Sequence, residues 1–283
     1  PTSVILTSLE HDHIDLYPTF EDYKQAFQFL IDELPPNGFL VVHQSVLPHL
    51  DTSKCLAKVF VYGNSHSSDI YYEIQGNDSE GTTFSFRVKG HEEVNKARIP
   101  MFGVYNVENA VAVSALSLLE NISPSDVLKS LASFPGTRER QELLRVKDGN
   151  IAVIRDYAHH PTAVTLTLEG LRLRYPGRRI IAIFEPRSAS STRKDFEVRY
   201  GEALNQADIS IIIKPTLKEK DDKSNSIDIS NVKHILEAAG RIAHEAQNFQ
   251  EALETVSTIV NQNDVTVFMS SGDMEGIPEK FAK

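Results

Sequence analysis

The sequence predicts an α/β protein of two domains, the first a mixed sheet with helices and the second a doubly wound, mostly parallel sheet. Three observations carry this. In the second half, short apolar runs such as "RIIAIFE", "DISIIIKP" and "DVTVFMSSG" alternate with amphipathic stretches, the order that parallel sheets need. In the first half, "DIYYEIQGNDSEGTTFSFRVKGHEE" alternates about a turn at Asp78–Gly81, which reads as a β-hairpin. Between the halves, "PGTRERQELLRVKDGN" is polar and turn-rich, and the domains are set at 1–142 and 143–283.

Taken in order, "VILTSL" reads as a strand and "FEDYKQAFQFLIDEL" as a helix that stops at Pro35–Pro36–Asn37–Gly38. "GFLVVHQSV" and "KVFVYGN" are short strands, expected to be buried on both faces. After the hairpin, "FGVYNVENAVAVSALSLLENIS" forms an amphipathic helix, and "SPSDVLKSLASF" a shorter one with Ser123 as N-cap. Beyond the boundary come a strand "IAVIRDY", a helix "PTAVTLTLEGLRLRY", the strand "RIIAIFE", a helix "RKDFEVRYGEALNQA" and the strand "DISIIIKP". A charge-rich loop at 217–228 reads as a solvated insertion. Helices near 231–239 and 249–261 precede the last strand, "DVTVFMSSG".

Bulk properties narrow the function. Of 283 residues, 41% are hydrophobic and 24% charged, so a packed core is expected. A net charge of −10, spread along the chain, argues against wholesale binding to a nucleic-acid backbone. Cys55 is the single cysteine, which excludes an internal disulfide framework and a multi-cysteine metal site; it reads as a small apolar residue. No apolar run reaches the roughly 18 residues of a membrane span, no signal peptide opens the chain, and a cytoplasmic location is expected. The chain starts without Met, almost directly on an apolar strand, and is expected to be a fragment. Its oligomeric state is not legible.

Ligands of doubly wound sheets bind at the carboxyl ends of strands, and three polar clusters fall at strand ends. Glu10-His11-Asp12-His13-Ile14-Asp15 follows "VILTSL" and is either a divalent-metal site or a solvated loop. In "RDYAHHPT", Asp156 stands at a strand tip, His159 and His160 on the turn, and Pro161 at the first position of a helix whose free N–H groups suit an anion. The plain alternative is a pair of loop histidines with Asp156 as a cap. In "FEPRSASSTR", Arg187 projects over a strand end as a partner for carboxylate or phosphate, or else pairs with Glu185 or Glu197. Asn106 and Asn109, three apart, share one face at the start of their helix, where Asn is a poor interior residue and a good cap. No G-x-x-x-x-G-K-[ST] occurs, so these residues contain no Walker A phosphate loop.

Together the motifs resemble the Mur ligase family, the ATP-dependent amide-forming enzymes of bacterial peptidoglycan synthesis. "LEHDHID" resembles the family's metal-site strand end, "GVYNVENAVAV" its G-x-H-N-x-x-N-x-x-A-A helix, "FPGTRERQE" its short arginine motif and "RDYAHHPTAV" its D-D-Y-x-H-H-P-T turn. The resemblance implies the latter part of the central ATPase domain, then a Rossmann-like C-terminal domain, with the N-terminal domain and phosphate loop absent. It implies ATP and Mg2+ as cofactors, and His13 at the metal, with His13 and Arg140 as catalytic groups. Asn106 and Asn109 would meet adenine, Arg140 the ATP phosphates and Asp156 the ribose. His159 and His160 would line the acceptor site, and Arg187 and Ser188 would take an acceptor carboxylate.

The sequence departs from the family at Tyr105 for His, Ser8 for Asn, Glu139 within the arginine motif and Arg155 for Asp. "FEPRS" and "MSSGDMEGI" resemble the member that joins UDP-N-acetylmuramate to the tripeptide L-Ala-γ-D-Glu-meso-diaminopimelate in peptidoglycan recycling. That is the expected reaction and these are the expected partners. The L-alanine-adding member is the alternative, and a metal-dependent phosphoesterase or a non-catalytic nucleotide-binding module the more distant ones.

Overall fold

The computed structural model describes residues 1–283 except Glu92 and residues 217–222. The first six residues of the expected 217–228 insertion therefore lie outside the described residues. The chain divides into two compact units, Pro1–Pro135 and Gly136–Lys283.

In the first unit, strands β1 (Val4–Leu6), β2 (Phe39–His43), β3 (Lys58–Gly63), β4 (Ile70–Asp78), β5 (Gly81–Val88) and β6 (Asn95–Ile99) form one sheet in that spatial order. β1 to β4 are parallel, and β5 and β6 add antiparallel, so the sheet is mixed as expected. Helix α1 (Phe20–Asp32) starts where Thr19 and Asp22 bond reciprocally, Thr19 Oγ1 accepting from Asp22 N and Asp22 Oδ2 from Thr19 N, both at 3.1 Å. Helix α2 (Val104–Leu119) begins after Gly103, whose φ of 97° is open only to glycine. It lays Val107, Val111 and Ala115 on Tyr62, Ile70, Phe84 and Ile99 of the sheet. Helix α3 (Pro124–Ser133) has Ser123 as N-cap, as expected.

One expectation is corrected here, and one strand is new. β3 is fully buried only at Tyr62 and Gly63, so it is not enclosed on both faces. β6 has no counterpart in the sequence reading, because "NKARI" places polar Lys96 and Arg98 between its inward residues.

In the second unit, β7 (Glu142–Lys147), β8 (Ile151–Asp156), β9 (Ile180–Phe184), β10 (Ile209–Ile213), β11 (Ile242–Ala246) and β12 (Val265–Met269) make a sheet of order β11-β10-β9-β12-β8-β7. Only β7 is antiparallel. Alternate residues feed opposite cores. Ile154, Ile180 and Phe184 face α4 (Pro161–Arg174), α5 (Glu197–Leu204) and α6 (Ile229–Ala238), while Val153, Ile181 and Ile183 face α7 (Phe249–Ile259) and α8 (Ile277–Ala282). β7, read from sequence as turn-rich, is an edge strand of alternating exposure, and its polar outer residues conceal it. The strand order reverses where β12 inserts between β8 and β9, and a crevice for ligands opens at such a point. Among the described residues no helix is long and apolar enough to cross a membrane.

Candidate functional site

In the first unit, His13 has a left-handed φ of 52°, and its carbonyl accepts from the N–H groups of Leu16 and Tyr17, both at 2.8 Å. His13 is exposed. His11 turns away from it: its Nε2 lies 2.8 Å from the Tyr17 carbonyl, which can only accept, so that nitrogen carries the proton. Among the described residues no three His, Cys, Asp or Glu side chains gather into a group able to hold a metal. The residues present therefore do not form a Mg2+ site by themselves. His13 offers one nitrogen ligand.

On the first turns of α2, Asn106 is half-buried and its Nδ2 donates to the Phe102 carbonyl at 2.7 Å, while Asn109 is exposed. Asn106 thus ties the helix to its entry loop, and Asn109 presents its amide to solvent. Between them sits a group the sequence reading missed. Glu108 Oε1 accepts from the Tyr72 hydroxyl at 2.7 Å and lies 3.3 Å from His43 Nε2. Burial opposes ionisation of Glu108, but the bonds from His43 and Tyr72 outweigh it and hold its carboxyl below the ordinary value. The available signal was a lone carboxylate inside the apolar run "VENAVAV".

In the second unit, the expected residues collect at the carboxyl ends of β8, β12 and β9. Asp156, expected at a ribose, is only 2% exposed. Its two oxygens accept from the backbone N–H groups of Gln141 and Ala158, each at 2.7 Å, and Thr167 also bonds to it. Burial pushes its pKa up against these bonds and the nearby charge of Arg140. The carboxylate thereby pins the loop that carries Arg140, in which Glu139 and Gln141 take left-handed φ values of 58° and 46°. Arg140 is exposed, its guanidinium 5.2 Å from the centroid of the Tyr157 ring. Arg155 forms ion pairs with Glu139 at 2.8 Å and Glu279 at 2.7 Å, joining the same loop to α8.

The two histidines part company. His159 Nδ1 donates to the Tyr157 carbonyl at 2.9 Å, and its own carbonyl accepts from the Tyr200 hydroxyl. His160 occupies the N-cap position of α4 with its ring edge-on to Phe196, and Pro161 opens the helix as expected. Ser188 Oγ accepts from Ser191 N at 3.1 Å, shaping the turn after β9. Arg187 is paired with neither carboxylate named as its alternative partner. Glu197 is buried and accepts from Asp228 N and Asn231 Nδ2 at the start of α6. Arg187 lies 3.9 Å from Asp273. Glu185, also unassigned from sequence, is 3% exposed and accepts from the Ser270 hydroxyl at 2.5 Å. Burial raises the Glu185 pKa in spite of Ser270 and Arg187. Ser270 N donates to the Asp156 carbonyl at 3.2 Å, so the three strand ends are laced together.

Comparison with known proteins gives this arrangement a family. Residues 1–117 match the Mur ligase middle domain, and residues 139–272 match the domain described as "Mur ligase, glutamate ligase domain". A UDP-N-acetylmuramate–L-alanine ligase of Desulfitobacterium hafniense (strain Y51) is 28% identical over 276 residues, covering 97% of this chain and 60% of that protein. One from Lactobacillus delbrueckii subsp. bulgaricus (strain ATCC BAA-365) is 31% identical over 277 residues, covering 97% and 59%. The chain thus spans about 60% of the length of the curated relatives it matches.

Among solved structures, the UDP-N-acetylmuramate–alanine ligase of Thermotoga maritima superposes with a TM-score of 0.76 at 21% identity, covering 99% of this chain and 59% of that one. A murein peptide ligase from Psychrobacter arcticus gives 0.67 at 24%, covering 99% and 57%. The MurF ligase of Thermotoga maritima in complex with ADP gives 0.74 at 18%, covering 100% and 62%. These likenesses establish the fold. With both domain matches, the chain belongs to the Mur ligase family.

Proposed function

We propose that this chain serves ATP-dependent amide formation, in which the carboxylate of UDP-N-acetylmuramate is activated as an acyl phosphate and attacked by the free amine of an acceptor. The attack forms a tetrahedral centre, which expels inorganic phosphate, and the amine proton leaves to solvent or a nearby base. The acceptor that the curated relatives favour is L-alanine, by their printed names. This displaces the tripeptide as the first reading. The tripeptide stays as the second, on the observation that "FEPRS" and "MSSGDMEGI" resemble the peptide-adding member.

The observation that carries the proposal is that Arg140 and Arg187 are exposed guanidiniums beside the carboxyl ends of β8 and β9, on either side of the switch point at β12. Arg140 faces phosphoryl oxygens, where charge accumulates in the transition state. Asp156 positions it through Gln141, in place of the ribose contact expected of that carboxylate. Asn106 and Asn109 take adenine, whose edge needs a donor and an acceptor together. Support for a nucleotide comes from the ADP held by a relative of the same fold. His159 and His160 border the acceptor, and Arg187 with Ser188 receives its carboxylate. His13 would offer one nitrogen ligand to Mg2+.

The test uses the chain together with any sequence its gene encodes upstream. It is offered UDP-N-acetylmuramate and ATP with L-alanine or with the tripeptide. Amide product with L-alanine, and little with tripeptide, is the expected result. Product with the tripeptide alone reverses the choice of acceptor. ATP hydrolysis that ignores both acceptors contradicts the proposal.

A further inference from the structure

Gly272 stands in the turn after β12, and its φ lies outside the left-handed region, so its backbone does not call for glycine. Gly276, four residues on, is the contrast: there a φ of 72° makes the demand, and nothing lies within 4 Å of an added β-carbon. What Gly272 provides is room. A β-carbon on it would fall 2.0 Å from Nη1 and 2.5 Å from Cζ of Arg187. The guanidinium lies directly against the bare α-carbon.

The turn beneath it is fixed from below. Ser270 Oγ accepts from Gly272 N at 2.9 Å and donates to the buried Glu185. Arg187 itself is 46% exposed, and its one ion pair among the described residues is long, at 3.9 Å, with an Asp273 that is 76% exposed. An exposed pair of that length holds a side chain weakly. Contact with the glycine surface, backed by Ser270 and Glu185, is therefore the main constraint on where this cation points.

We propose that Gly272 is a specificity-determining position, which with the Glu185–Ser270 pair holds the Arg187 guanidinium in the crevice, aimed at the carboxylate of the incoming amino-acid or peptide acceptor. This rests on the assignment of Arg187 to that carboxylate. The three atoms nearest a methyl group at 272 are Nη1, Cζ and Cδ of Arg187, all in one flexible side chain, so the fold tolerates it while the guanidinium is displaced. Planar bidentate recognition of a carboxylate does not survive such a displacement. Glu185 and Ser270 are positioning residues, acting on the acceptor through the turn and Arg187.

The experiment compares Gly272→Ala, Arg187→Ala, the double variant and Ser270→Ala in the full-length protein, with the acceptor that supports turnover. Gly272→Ala is expected to raise the acceptor KM by about tenfold, with the ATP KM and melting temperature little changed. Arg187→Ala is expected to raise the acceptor KM at least as much, and the double variant to add nothing further, because both act on one interaction. Ser270→Ala introduces no clash and is expected to raise the same KM severalfold, which keeps the test intact if Gly272→Ala folds poorly. Arg187→Ala without effect on the acceptor KM refutes the underlying assignment. Arg187→Ala with its effect, alongside unaltered acceptor KM in Gly272→Ala and Ser270→Ala, refutes the role of the turn. So does a double variant whose losses simply multiply.

Discussion

At the scale of single residues, the half-buried Glu108 and the buried Asp156 are carboxylates whose environments differ. Glu108 has a depressed pKa, so its stabilising contribution is present above the ordinary carboxyl value of 4.5 and is lost as pH falls through the lower, folded value. Glu108→Gln should therefore cost about 1–3 kcal/mol near pH 7 by urea unfolding, with the gap to the parent narrowing below about pH 4. Asp156 has a raised pKa, and its value to the fold is as an acceptor for two amides. In Asp156→Asn, one of those N–H groups faces an amide donor, and a loss of about 1–3 kcal/mol is expected by the same method. In the full-length protein the same change should also raise the ATP KM, because Arg140 loses its fixed loop. An unchanged KM would separate Asp156 from the nucleotide.

The sequence placed Asp156 and Arg187 at strand ends because apolar runs stop visibly there, whereas Arg140, in a stretch read as turn-rich, stood out only through the resemblance of its motif. The Glu108 network could not be read, since His43 and Tyr72 come from two separate strands that only folding aligns with the helix.

At the scale of elements, legibility followed periodicity and caps. α1 and α3 begin at Thr19 and Ser123, where a side-chain oxygen takes a free backbone N–H. Thr19→Ala should cost about 0.5–2 kcal/mol in chemical denaturation, as loss of a cap does. The continuous strands β9, β10 and β12 were legible because burial on both faces leaves apolar residues at all but Ser210 and Thr266. β6, β7 and β11 were not, because each shows a polar face; "IAHEA" in β11 carries His244 and Glu245. α8 escaped notice because six residues are too few to show a helical period. α4, which sets His160 and Pro161 at the crevice, is anchored by Leu168, fully buried against the sheet. Leu168→Ala should cost about 2–5 kcal/mol in the same assay, since it removes contacts and leaves a cavity.

At the scale of the whole molecule, each unit has its own sheet and its own core. Residues 136–283 expressed alone should unfold in one cooperative transition, and Leu168→Ala should shift that transition by the amount it does in the entire chain. A non-cooperative profile would mean that this unit depends on the rest.

The measurement that tests the proposed reaction most directly follows oxygen. UDP-N-acetylmuramate bearing 18O in its carboxylate is turned over by the full-length protein with ATP and L-alanine, and the phosphate released is analysed by mass. Activation as an acyl phosphate predicts one 18O in each phosphate and the other in the new amide. Unlabelled phosphate, with the carboxylate oxygens intact, would contradict the account.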